Sequence, residues 1–278
     1  MRLARSRKIV LLGVVLLAAG LAGRASADTT QNHPATALPA VSASAPAPKP
    51  KPKPTTKPAP TKKQTATPPS KPSSRQFSLV GVRMTTGSKA VALTFDDGPD
   101  PVQTPKILKL LAQQHVKATF CLVGSNVQKH PEIVRQIAAG GHTLCNHTWN
   151  HSLTIGKQSE AAMKADLQRT SNAIHQAAPK AKLKYFRAPG GNFTPALVAT
   201  AKQLGMASLY WKVDPRDWDH PKGETHAQHQ QRVINRVCHN TGSGAIVLSH
   251  DFAQPDTIAA YRKIIPTLKK KYKLVAMP

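Results

Sequence analysis

Five short stretches of this chain carry residue types that can do chemistry. Thr94-Phe95-Asp96-Asp97-Gly98-Pro99 sets two carboxylates side by side ahead of a Gly-Pro turn, so that they can face different sides of one site. His147-Thr148-Trp149-Asn150-His151 holds two imidazoles four residues apart, a spacing that brings both onto one metal ion if the segment makes a helical turn. Arg187-Ala188-Pro189-Gly190-Gly191, Asp214-Pro215-Arg216-Asp217-Trp218 and Leu248-Ser249-His250 add two guanidiniums, two more carboxylates and a third imidazole. Glycosidases that work with two carboxylates hold them roughly 5 to 9 Å apart and need no metal. Adjacent Asp96 and Asp97 with an H-x-x-x-H partner fit a metal site better.

Strands and helices must alternate to position these stretches. Apolar runs at Ala90–Phe95, Ala118–Val123, Thr143–Cys145, Lys184–Arg187, 206–213, Ala245–Ser249 and Tyr272–Ala276 read as strands. Helical patterning falls between them at Pro105–Gln114, Glu132–Ala139, 159–177, 195–204, 225–239 and 256–270. Continuous apolar strands alternating with helices predict a parallel sheet covered by helices. About seven such units give an α/β fold, an incomplete or distorted (β/α) barrel, with an open doubly wound sheet as the alternative. All five stretches then fall at strand C-termini, where barrels of this kind carry their active sites.

In this order TFDDGP, HTxxH, RxPxG, DxxDW and LxH closely resemble the polysaccharide deacetylases, the NodB-homology domain of carbohydrate esterase family four. The resemblance covers about residues 88–278. It implies that Asp97, His147 and His151 hold one divalent metal, zinc first, with cobalt or another divalent ion second. It implies that Asp96 is the general base, oriented by Arg187, and that His250 is the general acid, oriented and charged by Asp217. The acetyl group of an N-acetylated sugar is the implied target, with a backbone N–H near Gly190 at the developing oxyanion and Leu248 along the acetyl methyl. Many relatives have an aromatic residue at Gly190, a small departure that removes a side-chain wall. Trp218 serves as sugar-stacking wall or as packing, Trp149 as rim, and Asp214 shapes its turn. His115, His130, His175, His226, His229 and His239 read as surface residues, and His142 as a strand opener.

The rest of the chain bears on location. A net charge of +26 suggests a polyanion as partner, but residues 1–75 supply 13 of the 39 Lys and Arg and only one of the 13 acids. Residues 1–27, with a basic start, an apolar Ile9–Gly23 core and Ala25-Ser26-Ala27 at the end, read as a secretory signal peptide. Residues 28–75 contain 12 Pro, no Gly and no aromatic residue, so they read as a disordered, extended linker that at about 3.1 Å per residue would reach roughly 150 Å if fully stretched. The catalytic domain is 76–278. The expected location is extracellular, in or near a cell wall. Acetylated wall or chitin-type polysaccharide is the expected partner, and the linker lysines suit anionic wall polymers. No nucleic-acid-reading motif is present. Cys121 and Cys145, on neighbouring predicted strands, either bridge or lie as buried thiols, and Cys238 is left free.

Overall fold

The computed structural model describes residues 81–278; the expected signal peptide at 1–27 and the expected linker at 28–75 lie outside the described residues. The strands are β1 (Val82–Arg83), β2 (Val91–Asp96), β3 (Thr119–Leu122), β4 (Thr143–Asn146), β5 (Tyr185–Phe186), β6 (Ala207–Leu209), β7 (Ile246–Val247) and β8 (Leu274–Val275). The helices are α1 (Gln103–Gln113), α2 (Gly124–Lys129), α3 (Pro131–Ala139), α4 (Glu160–Ala177), α5 (Pro195–Gln203), α6 (His226–Asn240) and α7 (Pro255–Lys269). All ladders are parallel, in the order β1-β6-β5-β4-β3-β2-β7, with β8 also on β2. A single parallel bridge, Val213↔Val247, brings the chain after β6 against β7. Among the described residues no ladder closes the ring, so this is the incomplete (β/α) barrel that the strand–helix alternation predicts. Among the described residues no helix is long and apolar enough to cross a membrane.

The seven expected strands form, several of them shortened, and β1 and α2 are additional. Both escape sequence patterning because a two-residue edge strand and the polar six-residue GSNVQK helix have no apolar period to show.

Strand alternation decides what reaches the site. Every residue of β2 is buried. Val91, Leu93 and Phe95 pack outward into the main core with Ile107, Ile264 and Tyr261 of the helices. Ala92 turns inward onto a layer formed by Cys121, Cys145, Tyr185, Leu209, Ile246 and Met277. A period of two carries the inward parity upward from each of these residues. From Ala92 it passes through Thr94 to Asp96, from Cys145 to His147, from Tyr185 to Arg187, and from Ile246 through Leu248 to His250. The outward neighbours bind helices: Asn146 donates to the Leu167 carbonyl and Ser171 of α4, and Ser249 bonds Tyr261 of α7. Cys121 and Cys145 are in register on β3 and β4 and form a disulfide, leaving Cys238 free.

Candidate active site

The inward parities converge on a cavity of about 470 Å³ lined by Asp96, Asp97, His147, His151, Trp218, Leu248 and His250, with Gly190 and Asp214 also on its wall. Asp96 is 2 % exposed and its carboxylate is fixed from below. Arg187, wholly buried, donates from Nη1 to Asp96 Oδ1 at 2.7 Å and to Thr94 Oγ1 at 2.8 Å, and from Nη2 to the Tyr210 carbonyl. One carboxylate oxygen is thereby committed, and Oδ2 stands 3.8 Å from His147 Nε2.

Asp97, at φ 76°, turns away from its neighbour toward the histidines. Its Oδ1 lies 3.3 Å from His147 Nε2 and 3.2 Å from His151 Nε2. That oxygen is buried and has no hydrogen-bond partner. His147 Nδ1 bonds the Arg187 carbonyl at 2.8 Å, an acceptor that requires the proton on Nδ1 and leaves the Nε2 lone pair free. A carboxylate oxygen and two imidazole nitrogens therefore face one point, and a cation there satisfies all three. The residues present fit a divalent metal. They reach it differently from the helical turn expected from the sequence: the segment is irregular, with Thr148 at φ 65° and His151 at φ 56°. Three non-glycine residues in left-handed conformations, each costing about 1 to 3 kcal/mol, mark a constellation held by its surroundings.

His250 faces this cluster from β7, tied to Asp96 by a parallel backbone bridge. Its Nδ1 bonds Asp217 Oδ1 at 2.8 Å and its backbone N–H donates to Asp217 Oδ2 at 2.8 Å, while Thr257 donates to the same oxygen. Burial pushes the imidazole's pKa down, but the charge and hydrogen bond of Asp217 outweigh it and hold it up at about 10. His250 is therefore a cation at neutral pH with Nε2–H toward the cavity.

The polysaccharide deacetylase family model matches residues 83–209. A peptidoglycan-N-acetylglucosamine deacetylase of Bacillus cereus is 39% identical over 194 residues, 68% of this chain and 86% of that protein. A chitooligosaccharide deacetylase of Sinorhizobium fredii is 34% identical over 202 residues, 67% of this chain and 88% of that one. The chain belongs to the polysaccharide deacetylase family. Both of these relatives are named as deacetylases, hydrolases acting on carbon–nitrogen bonds other than peptide bonds. Among solved structures, a peptidoglycan N-acetylglucosamine deacetylase bound to a naphthyl N-oxidanyl-benzamide superposes with a TM-score of 0.65 at 34% identity, covering 73% of this chain and 94% of that one. A family pseudoenzyme from Bacillus anthracis also superposes, with a TM-score of 0.62 at 27% identity over 70% of this chain and 66% of that one. Membership alone thus leaves activity open, and the groups in place must decide it.

All ten residues read from the family motifs meet at the cavity or brace it. Leu248 is buried on the wall and Trp218 is 46% exposed at the mouth. Gly190 has φ +60°, where a Cβ would stand 3.1 Å from Leu153, so this wall position favours glycine. Asp214 accepts from the Arg216 N–H and shapes its turn as expected. Trp149, expected at the rim, turns away from the cavity: it packs on Gly124 and lies 3.6 Å under the Arg169 guanidinium. His229, expected on the surface, is 1% exposed. Thr94, Thr257, Trp211 and Asp251 were not singled out by sequence. The first two are ordinary hydroxyls whose roles depend on partners 93 and 40 residues away. Asp251 follows the LxH motif directly, and burial pushes its carboxyl up to about 7. Its oxygens stand 2.8 Å from where a Cβ on Gly98 would lie, which explains the glycine of TFDDGP.

A pH profile tests the His250 assignment. A group raised from 6.5 to about 10 contributes stability fully present below 6.5 and lost as pH rises toward 10. Activity that needs the cation falls on the same alkaline side. A metal at Asp97 opposes the part of the shift that Asp97 supplies, whereas Asp217 acts either way. Asp217→Asn is expected to move the alkaline limb of kcat/KM to lower pH, and an unmoved limb would exclude His250 as the acid.

Proposed function

We propose that this protein is a secreted, metal-dependent deacetylase that removes N-acetyl groups from N-acetylglucosamine-containing glycans, peptidoglycan first and chitin oligomers next. The observation that carries this reading is the division of labour across one cavity. A fixed carboxylate, Asp96, and a cationic imidazole, His250, stand on either side of the unsatisfied Asp97–His147–His151 cluster.

The residues divide the hydrolysis as follows. Asp97, His147 and His151 would hold a divalent ion, zinc by the character of its nitrogen and oxygen donors, which supplies Lewis-acid polarisation of the amide carbonyl and acidification of water. Asp96 Oδ2, the oxygen that Arg187 leaves free, takes a proton from the attacking water as the new C–O bond forms. His250 Nε2–H gives its proton to the amide nitrogen as the C–N bond breaks, because an amine leaves poorly unprotonated. Acetate and a free amino sugar result. Leu248 supplies apolar contact for the acetyl methyl, and exposed Trp218 offers a ring face to a sugar.

Support for a wall substrate comes from the export signal and Pro/Lys-rich linker, together with the peptidoglycan-acting relative in Bacillus cereus. The direct test is acetate release by the whole protein from peptidoglycan, chitopentaose and acetylxylan, with chelator and then with added zinc. Release from an N-acetylated glycan, lost with chelator and restored by zinc, is expected. Release from acetylxylan alone would make the enzyme an ester hydrolase. Release indifferent to chelator would remove the metal from the mechanism, and no release with wall binding retained would leave a non-catalytic wall-binding protein.

A further inference from the structure

A second group of metal-ligating side chains lies outside the cavity and takes no part in the chemistry above. His220 lies in the loop that follows the Asp217-Trp218 motif, His229 in the second turn of α6, and Asp256 in the first turn of α7. One ligand atom from each lies within 4.8 Å of the others. The His220 and His229 rings stack with centroids 4.1 Å apart at 21°.

His229 carries the decisive atom. The residue is 1% exposed, and its Nε2 is buried with no hydrogen-bond partner. Its Nδ1 lies 3.2 Å from Glu224 Oε2. Arg232 Nη2, also 3.3 Å from that nitrogen, already donates to Glu224 and to the Asp219 carbonyl. Nδ1–H donation to Glu224 gives the carboxylate–histidine arrangement that fixes a ligating tautomer and raises its basicity. It leaves the Nε2 lone pair buried and unpartnered, on a ring that has a ligand atom of His220 and of Asp256 within 4.8 Å of one of its nitrogens. Each Asp256 oxygen has one partner, His226 Nδ1 at 2.7 Å and Gln230 Nε2 at 2.7 Å, and keeps a lone pair.

We propose that His220, His229 and Asp256 form a second divalent-metal site, of the zinc type, distinct from the catalytic cluster. Ligands of a tetrahedral zinc stand roughly 3.3 Å apart, and exposed His220 supplies the freedom to close onto that spacing. Two imidazoles and a carboxylate suit zinc, cobalt or copper and not calcium or magnesium. The ion would be a brace. It joins the loop carrying Asp217 to α6 and to α7, whose Thr257, beside Asp256, donates to Asp217 Oδ2.

The test is metal stoichiometry on the untagged whole protein, freed of metal and equilibrated with zinc, and with cobalt as a spectroscopic probe. The wild type is expected to bind two equivalents. The D97A/H151A variant, which loses the catalytic cluster, and the H220A variant, which loses only an exposed ligand at the second site, are each expected to bind one. Cobalt in D97A/H151A is expected to give the intense visible bands of four-coordinate Co2+, lost in D97A/H151A/H220A and in D97A/H151A/D256N. One equivalent in the wild type, retained in H220A and absent from D97A/H151A, would overturn the proposal. A second equivalent that survives both H220A and D256N would overturn it equally.

Discussion

Asp96→Asn is expected to lower kcat/KM for acetate release by about 10²- to 10⁴-fold, the span that a positioned general base supplies. The substitution suits the question because it is nearly isosteric. The asparagine carbonyl oxygen can still accept from Arg187 Nη1 where Asp96 Oδ1 does at 2.7 Å, so the side chain stays in place while the basic oxygen is lost. Asp96 is not in the set of three that faces the metal position, so zinc content at the catalytic cluster should be unchanged. Metal analysis beside the kinetics separates the alternatives. Full activity in Asp96→Asn would transfer the base role to another group, and loss of zinc together with activity would make Asp96 a ligand.

Arg187→Met should cost the fold about 3 to 5 kcal/mol, the usual loss when one partner of a buried ion pair is removed and the other charge is left without compensation. Arg187 is wholly buried and Asp96 is 2 % exposed, so water cannot replace the guanidinium. The removed side chain also serves Thr94 Oγ1 and the Tyr210 carbonyl. For a domain of this size, that loss corresponds to a fall in melting temperature on the order of 10 °C. Activity should fall with it, because Asp96 loses the contact that turns Oδ2 to the cavity. The Asp96→Asn/Arg187→Met double variant should lose less stability than the sum of the single variants, since it leaves no buried charge unpaired. Strict additivity would mean that the two side chains are energetically independent despite the 2.7 Å contact.

The sequence made the barrel and its catalytic rim legible for one reason. Parallel strands buried on both faces are written as unbroken apolar runs, and polar residues at their C-terminal ends stand out against them. Val91–Asp96 is the clearest case: five residues of core lead straight into a carboxylate. Residues fixed by distant partners were not legible. Thr257 holds Asp217 across 40 positions, and nothing in its local sequence separates it from any helix threonine. The His147–His151 spacing suggested a helical turn, yet left-handed backbone at Thr148 and His151 produces the same convergence. Trp149, inside that motif, was expected at the rim and instead packs on Gly124, because the irregular turn rotates it out of the cavity. His229 lies among polar residues on α6, and its burial comes from His220, Glu224 and Asp256, which belong to other segments.

The joining of β2 to β7 sets how this enzyme can come into being. Thr94 bonds the Val247 carbonyl across 153 residues, and the Asp96–His250 bridge above it links the base to the acid. Closing a loop of that length carries an entropic cost met only after the intervening strands have assembled. Topologies dominated by such distant pairings fold slowly. A fragment made of the first strands alone carries Asp96 and the Asp97–His147–His151 cluster but lacks the acid, because His250 follows β7. Recovery of deacetylation during refolding is therefore a late kinetic marker, trailing the return of helical signal.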